Sequence, residues 1–175
     1  MKTREGILAL MPKGSVGIEV GVWKGDFSQR ILDYVDPHIL VLVDPWQYNP
    51  EYGDSWYGNK KMDQNAMDGI FNSVVDRFSS DGRVSIHRGV VDHGIVADEM
   101  ADWIYIDGDH TYEGVMNDIK HSWDLLAKGG TMIFDDYGEA GWWFDGVKLA
   151  VNEFAVENGL KVCEVDGNAI IRKPV

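Results

Sequence analysis

Short apolar runs alternate with amphipathic stretches along the chain, and this alternation predicts strands and helices in turn. Strands are predicted over five runs rich in β-branched or aromatic residues: 15–20, 39–43, 83–87, 103–106 and 131–134. The second run is apolar throughout, which is typical of a strand covered on both faces.

Apolar residues that recur three and four positions apart predict the helices between these runs. The predicted helices cover about 26–34, 62–78, 112–127 and 147–157. Asp26 is expected to cap the first of them, because its carboxylate can accept hydrogen bonds from the free N–H groups of the first turn. Gly129 and Gly130 are expected to stop the third with a left-handed cap.

The end of the chain predicts a hairpin, since two strand-like runs, 160–165 and 169–172, flank the turn sequence Asp-Gly-Asn. Alternating strands and helices build parallel βαβ units with right-handed crossovers, and a hairpin adds an antiparallel edge. We therefore predict one α/β domain over residues 1–175. Its expected architecture is a three-layer αβα, Rossmann-like fold with a seven-stranded, mostly parallel sheet, which binds ligands at the carboxyl ends of its strands.

Composition narrows the classes of partner. Acidic residues outnumber basic ones by 29 to 16, giving a formal net charge of -13. Such a surface repels phosphate groups, so we expect no nucleic-acid partner and no membrane partner. The apolar runs are too short to span a bilayer, and the first residues lack the apolar core of a signal peptide, so a cytoplasmic location is expected. The single cysteine, Cys163, excludes an internal disulfide and a multi-cysteine metal site.

The segment 19–25 (Glu-Val-Gly-Val-Trp-Lys-Gly) follows the first strand and opens a helix. Glycines allow a tight turn and the close approach of a ligand to the backbone. The spacing Gly-x-x-x-Gly differs from the Gly-x-Gly-x-x-Gly of dinucleotide-binding loops. Glu19, two positions before Gly21, suits a ligand with a cationic end better than a pyrophosphate. The alternative is an ordinary turn between a strand and a helix.

An acidic residue, Asp44, ends the second predicted strand. In nucleoside-binding α/β sheets an acid at this place accepts hydrogen bonds from ribose hydroxyls. Pro45 and Trp46 follow it and are expected to shape an adenine slot. The alternative is that Asp44 is a solvated turn residue.

Asp107 ends the fourth predicted strand, and Asp135 and Asp136 end the fifth. These strands are neighbours in the expected sheet, so the three carboxylates should converge. Like charges this close require protonation or a cation, and all-oxygen ligands select a hard ion such as Mg²⁺, Mn²⁺ or Ca²⁺. In the alternative, Asp136 caps the following segment and Asp107 only holds a cofactor.

Two loops are rich in aromatic residues: one carries Trp46, Tyr48, Tyr52, Trp56 and Tyr57, and the other is the segment 141–144 (Gly-Trp-Trp-Phe). We expect these loops to wall a substrate site or to form a lid. The alternative is packing or a subunit interface, in which case the chain forms a homo-oligomer.

Four segments together resemble the class I S-adenosylmethionine-dependent methyltransferases: 17–28 (GIEVGVWKGDFS), 43–46 (VDPW), 106–112 (IDGDHTY) and 129–137 (GGTMIFDDY). Within that class the chain is most similar to the group that includes the macrocin-type sugar O-methyltransferases. The resemblance spans residues 14–172, and it implies the methyltransferase form of the Rossmann-like fold with S-adenosyl-L-methionine as cofactor.

The resemblance also implies roles for residues. Glu19 and Gly21 would line the methionine end of the cofactor. Asp44 would hold the ribose, and Gly89 with Val90 would border the adenine. The other cofactor-binding residues that it implies are Val22, Trp23, Ser28, Pro45, Trp46 and Asp107.

The expected reaction is O-methyl transfer to a small hydroxylated molecule. By the same resemblance Asp107, Asp135 and Asp136 would hold Mg²⁺, which would coordinate the substrate hydroxyl and lower its pKa. His110 is the candidate general base, because it is the imidazole nearest these carboxylates, and Asp109 is the second candidate. Asp107 completes the expected catalytic set. In the alternative, His110 only starts the following helix.

Three other functions stay open on the sequence. A nucleotide-dependent oxidoreductase is disfavoured by the glycine spacing. A metal-dependent hydrolase or hydroxylase-like relative would use the same acids. A non-catalytic binding module is disfavoured because all three carboxylates are retained.

Overall fold

The computed structural model describes residues 4–53, 55–139, 141 and 143–175, so Trp142 of the second aromatic segment lies outside the described residues. Within these residues seven strands form one sheet: β1 (Val16–Val20), β2 (Ile39–Asp44), β3 (Val84–Arg88), β4 (Ala101–Ile106), β5 (Leu126–Phe134), β6 (Val162–Val165) and β7 (Asn168–Arg172). The helices are α1 (Glu5–Leu8), α2 (Asp26–Tyr34), α3 (Gln64–Phe78), α4 (Tyr112–Ser122) and α5 (Gly146–Glu157), with a 3-10 turn over Pro50–Tyr52. None of the helices in this part of the chain is long and apolar enough to cross a bilayer.

The strands lie in the order β3-β2-β1-β4-β5-β7-β6. Strands β1 to β5 are parallel, and β7 pairs antiparallel with both β5 and β6. This confirms the predicted Rossmann-like α/β fold, with its seven-stranded, mostly parallel sheet and its antiparallel C-terminal hairpin. The strand order reverses between β1 and β4, and such sheets bind ligands in the crevice outside the carboxyl ends of those strands.

The carboxyl ends of the central strands are level with one another. Gly21, Asp107 and Asp135 are the first residues after β1, β4 and β5, and each donates a backbone hydrogen bond of 2.8–2.9 Å to a carbonyl at the end of the neighbouring strand. These bonds extend the ladder by one residue. The three loops that leave the sheet here therefore begin side by side at the crevice.

Each face of the sheet has its own apolar core, because side chains alternate along a strand. On one face Ile104 of β4 belongs to the same buried cluster as Ile119 of α4 and Val151 of α5. On the other face Leu42 of β2 belongs to the cluster that includes Ile31 of α2. This arrangement confirms the layers expected for the fold.

One predicted helix end is wrong. Helix α4 ends at Ser122 rather than Ala127, and the expected glycine cap at 129–130 lies inside β5. Leu125 is fully buried, and its carbonyl accepts the backbone N–H of Ala101 at 2.9 Å. Pairing with β4 and burial of leucine therefore outweigh the continuation of the helix.

The start of α2 also differs from the prediction. Its N-cap is Gly25, in the left-handed conformation with φ +76°, and Asp26 is the first helical residue. The Asp26 carboxylate accepts a hydrogen bond from Arg77 Nη1 at 2.8 Å instead of capping the helix. Helix α1 was not predicted; it places Ile7 and Leu8 in the core on the α2 face.

Candidate active site

The crevice between β1 and β4 is narrow because the first residue after β1, Gly21, has no side chain. Gly21 has φ +87°, and a β-carbon there would come within 2.1 Å of the Asp107 carbonyl oxygen. Only glycine lets the two loops approach so closely. The glycine loop is thus one wall of the crevice.

Glu19 is a carboxyl buried beside this turn, with 1% of its surface exposed. Burial raises the pKa of Glu19 to about 8, so it is largely protonated at neutral pH. Among the described residues Glu19 Oε2 has no hydrogen-bond partner of ordinary geometry, although the hydroxyl of nearby Ser28 opposes the rise in the pKa of Glu19. Buried polar atoms are normally paired, so Glu19 Oε2 is an acceptor that a ligand with a donor group could use.

Asp44 is the second buried carboxyl of the crevice. Its Oδ2 accepts the backbone N–H groups of Val22 and Trp23 at 2.9 Å, and its Oδ1 accepts that of Trp46 at 2.7 Å. The Tyr57 hydroxyl donates to the same Oδ2 at 2.5 Å. Burial raises the pKa of Asp44, and these hydrogen bonds oppose the rise. Asp44 thus holds the glycine loop and offers an oxygen to a hydroxyl, which is the contact predicted for a ribose.

The aromatic loop (residues 45–53 and 55–63) reaches both ends of the crevice. At one end Tyr57 bonds to Asp44, and its ring packs against that of Trp23 with 5.0 Å between centroids. At the other end the Tyr52 hydroxyl donates to Asp109 Oδ2 at 2.9 Å. These contacts attach the loop to both ends of the crevice, and its role as a lid or a substrate wall stays a prediction.

A cavity of about 430 Å³ lies next to Asp44, lined by Pro45, Gln47, Gln64, Arg88, Gly89 and Val90. Three of these residues, Pro45, Gly89 and Val90, are among those predicted to bind the cofactor. The ring of Trp46 is fully buried in the core, and its Nε1 donates to the Trp23 carbonyl at 2.8 Å. Trp46 therefore has no surface left for an adenine, contrary to the expectation for it.

At the opposite end of the crevice, two carboxylates share one guanidinium. Arg4 Nη2 lies 3.0 Å from Asp107 Oδ2 and also bonds to Asp135 Oδ2. Burial alone would lower the pKa of Arg4, but the negative charges around it, with Asp107 the largest, raise it. The guanidinium is therefore fixed in its charged form.

His110 lies between Asp107 and the third carboxylate, Asp136. Its Nε2 lies 3.3 Å from Asp107 Oδ1, and its Nδ1 lies 3.6 Å from Asp136 Oδ2. The edge of its ring meets Trp143 with 4.7 Å between centroids. Burial would lower the pKa of His110, but the hydrogen bond to Asp107 and the nearby carboxylates raise it above 6.5.

Asp107, Asp135 and Asp136, called here the carboxylate cluster, do converge as predicted. In this arrangement they do not fit a divalent cation, because Arg4 contacts the first two and His110 contacts the first and third. Among the described residues, no group of three or more His, Cys, Asp or Glu side chains is arranged to hold a metal. Two basic side chains stand where the sequence predicted Mg²⁺.

Asp109, the second candidate base, is engaged in holding the loop. Its Oδ1 accepts the backbone N–H of Thr111 at 2.9 Å, and its Oδ2 accepts the Tyr52 hydroxyl. Burial, followed by the charge of Asp109, raises the pKa of Asp118 to about 7. Because both carboxylate oxygens of Asp109 already accept hydrogen bonds, His110 is the better placed of the two candidate bases.

Two charged residues of the site escaped the sequence analysis. Asp118 could have been identified from the sequence, because an acidic residue on the helix face that carries the buried Val115 and Ile119 indicates a buried carboxylate. Arg4 could not, since it lies 103 residues from Asp107 in the chain.

A family model described as "Methyltransferase domain" matches residues 18–137, which contain the glycine loop and the carboxylate cluster. An uncharacterized protein of Acanthamoeba polyphaga mimivirus is 34% identical over 140 residues, which cover 80% of this chain and 59% of that protein. The chain thus spans less than two thirds of the length of this curated relative.

Solved structures share the fold over nearly the whole chain. The O-methyltransferase NovP superposes with a TM-score of 0.63 at 21% identity, covering 99% of this chain and 77% of its own. The N-methyltransferase NodS from Bradyrhizobium japonicum WM9 gives 0.63 at 16%, covering 98% and 95%. The SAH-bound methyltransferase PaMTH1 from Podospora anserina gives 0.60 at 16%, covering 92% and 72%. At these identities the likeness establishes the fold.

Proposed function

Because the chain belongs to the methyltransferase-domain family of S-adenosylmethionine-dependent enzymes, we propose that it transfers a methyl group to a hydroxyl of a small molecule. The observation that carries the proposal is the content of the crevice. At one end it holds a buried carboxyl, Glu19, whose Oε2 has no partner among the described residues. At the other end it holds an imidazole, His110, aligned by acidic side chains.

The residues present fit the cofactor. Glu19 Oε2 can accept a hydrogen bond from the cofactor's amino group, and Asp44 Oδ2 can accept one from a ribose hydroxyl once the Tyr57 hydroxyl has left it. The cavity bordered by Gly89 and Val90 has room for an adenine. When bound, S-adenosylmethionine supplies a methyl group that its sulfonium has already activated.

His110 supplies the base. Its Nε2 is oriented by Asp107, and its more loosely held Nδ1 can take the proton of the acceptor hydroxyl as the oxygen gains the methyl group. Binding both reactants in one crevice contributes about 7–11 kcal/mol to lowering the barrier in well-oriented systems. The proposal includes no metal step, since the carboxylate cluster is engaged by Arg4 and His110.

The choice of oxygen as acceptor is supported by the resemblance to the macrocin-type sugar O-methyltransferases and by NovP among the structures of the same fold. Sugar hydroxyls are therefore the first acceptors to test. Amines are the necessary comparison, because NodS, an N-methyltransferase, has the same fold.

Calorimetry with S-adenosylhomocysteine tests the cofactor. We expect binding with a dissociation constant below 100 μM, on the order of −5.5 kcal/mol or better. NADH is the control ligand and should not bind. Absence of S-adenosylhomocysteine binding at 1 mM would contradict the proposal, and binding of NADH instead would favour an oxidoreductase.

Transfer of a labelled methyl group tests the base. His110→Gln should lower the rate by about 10²-fold or more with little change in cofactor binding. His121→Gln is the matched control, because His121 is a half-buried histidine of α4 whose Nδ1 hydrogen-bonds to the Asn117 carbonyl at 2.8 Å and not to the carboxylate cluster. Equal rates in the two variants would show that His110 is not the base.

A further inference from the structure

The carboxylate cluster contains a residue from the far N-terminal end of the chain. Arg4 Nη2 lies between Asp107 Oδ2 and Asp135 Oδ2, and these two residues follow the neighbouring strands β4 and β5. The Arg4 side chain is only 23% exposed and that of Asp135 only 2%. An ion pair this dry is not an ordinary surface contact.

The backbone that carries Arg4 is anchored. Arg4 immediately precedes α1, whose Ile7 and Leu8 are 0% and 5% exposed in the core. A β-carbon at Gly6 would come within 2.4 Å of Asp166 Oδ2 in the turn between β6 and β7, so α1 lies tightly against that hairpin. Helix α1 therefore fixes the position from which the guanidinium reaches the cluster.

The guanidinium also has an aromatic surface to lie on. Its central carbon is 4.8 Å from the ring centre of Phe27 and 5.7 Å from that of Tyr105. Planar guanidinium groups stack on aromatic faces while they bond to carboxylates, and ammonium groups do this less well. The site thus matches the shape of an arginine side chain.

We propose that Arg4 is the resident cation of the carboxylate cluster, and that its guanidinium takes the place in which the sequence pattern predicts a divalent metal. Arg4 then acts as a positioning residue, because it holds Asp107 in the orientation that aligns His110. A divalent cation would have to expel the guanidinium before it could bind Asp107 and Asp135.

The test compares Arg4→Met with Arg77→Met. Arg77 is a matched control, since it also pairs with a carboxylate, Asp26, at 2.8 Å and lies over an aromatic ring, Phe78, at 5.4 Å, but outside the cluster. Thermal unfolding is followed by circular dichroism in 1 mM EDTA and in 1 mM MnCl₂, and Mn²⁺ binding is titrated by calorimetry. Neither measurement requires S-adenosylmethionine, so the outcome is independent of the proposed function.

We expect the wild-type protein to bind no Mn²⁺ and to have the same Tm in both buffers. Arg4→Met should lower the Tm in EDTA by about 5 °C, and Mn²⁺ should bind it with 1:1 stoichiometry and restore most of the loss, because the vacated carboxylates then need a cation. Arg77→Met should have the same Tm in both buffers. Arg4→Lys should restore part of the stability in EDTA, since it keeps the charge but loses the planar fork.

Several results would overturn the inference. One is stoichiometric binding of Mn²⁺ to the wild-type protein with a rise in Tm. Another is an Arg4→Met variant that gains no Mn²⁺ site. If Arg4→Met does not fold, the wild-type titration and Arg4→Lys decide the question by themselves. An Arg4→Lys variant would count against the inference if its Tm depended strongly on Mn²⁺ and, with Mn²⁺ present, did not exceed the Tm of Arg77→Met.

Discussion

The two ends of the crevice hold their carboxylates in different ways. At the end where we propose that the cofactor binds, called here the cofactor end, burial favours the protonated form of Glu19, and Asp44 accepts hydrogen bonds from backbone N–H groups and a hydroxyl. At the other end, the carboxylate cluster is paired with the basic side chains of Arg4 and His110. At the first end no basic side chain is hydrogen-bonded to Glu19 or Asp44 among the described residues, whereas the carboxylates of the other end contact two basic side chains of the protein itself.

This difference has a consequence for ligand binding. A buried acid that is protonated when the site is empty can ionise when a cationic ligand arrives, so the cofactor end should respond to pH and to ligand. The cluster end carries its own cations, so it should respond to removal of its counter-charges. Variants at the two ends can therefore be distinguished by whether pH and ligand, or an added cation, restore their stability.

The largest expected effect comes from Asp44→Ala. It leaves the backbone N–H groups of Val22, Trp23 and Trp46 without their acceptor, and an unpaired buried donor costs about 1–3 kcal/mol. The free energy of unfolding, measured in urea, should fall by about 4–6 kcal/mol, and S-adenosylhomocysteine binding should be lost. Asp33→Ala, at an exposed position of α2, should change stability by less than about 0.5 kcal/mol. A loss below 1 kcal/mol for Asp44→Ala would mean that Asp44 does not hold the loop.

Glu19→Gln is expected to have the next largest effect, and it is stabilising at high pH. The pKa of Glu19 is about 8 in the folded protein against 4.5 ordinarily, so the native state binds an extra proton between these values. The contribution of Glu19 to the free energy of unfolding therefore falls as pH rises from about 5 to 8, by up to about 4 kcal/mol. Glu19→Gln removes this loss. Urea unfolding at pH 5, 6, 7 and 8 should show the two curves diverging, and parallel curves would refute the raised pKa.

The same variant sharpens the comparison through binding. Glutamine cannot ionise to meet the cationic amino group of the cofactor, so Glu19→Gln should weaken S-adenosylhomocysteine binding by about tenfold while it stabilises the empty protein. Stability gained together with affinity lost is the pattern of a residue kept for function. Unchanged affinity would separate Glu19 from the cofactor.

At the cluster end, Asp136→Asn should shift the pH dependence of methyl transfer. The wild-type rate should rise with pH through a midpoint above 6.5, because the pKa of His110 is raised and only its neutral form accepts a proton. Removing the Asp136 charge lowers that pKa, so the midpoint should move to lower pH and the rate at pH 6 should rise by less than about tenfold. Loss of activity at every pH would instead indicate that Asp136 binds an essential ligand such as a metal.

The cofactor end was largely predictable because its residues follow strands directly. A Gly-x-x-x-Gly turn after β1 and an acid at the end of β2 are local patterns, and the parallel sheet brings them together. The same reasoning placed Asp107 and Asp135 side by side, which the level ends of β1, β4 and β5 confirm.

The rest depended on contacts that no local pattern reveals. Arg4 reaches Asp135 across 131 residues, and nothing near it in the chain marks it as a partner of strand-end acids. The end of α4 was misplaced because buried Leu125 favours the sheet over a helix that local propensity would allow to continue. The sequence thus indicated that Asp107 and Asp135 need protonation or a cation, but not that an arginine contacts both of them.

The smallest expected effect distinguishes the two ends through two tyrosines of one loop. Tyr57→Phe removes the hydroxyl that donates to Asp44 Oδ2, the oxygen predicted for the ribose. The cofactor no longer has to displace that bond, so S-adenosylhomocysteine should bind about fivefold more tightly, which corresponds to a net hydrogen bond of about 1 kcal/mol. Tyr52→Phe is the matched control, because its hydroxyl bonds to Asp109 at the opposite end and its loss should leave cofactor affinity unchanged. Weaker binding by Tyr57→Phe would mean that the hydroxyl contacts the cofactor instead of competing with it. Equal changes of S-adenosylhomocysteine affinity in the two variants would show that the loop acts as one unit and not through separate contacts at each end.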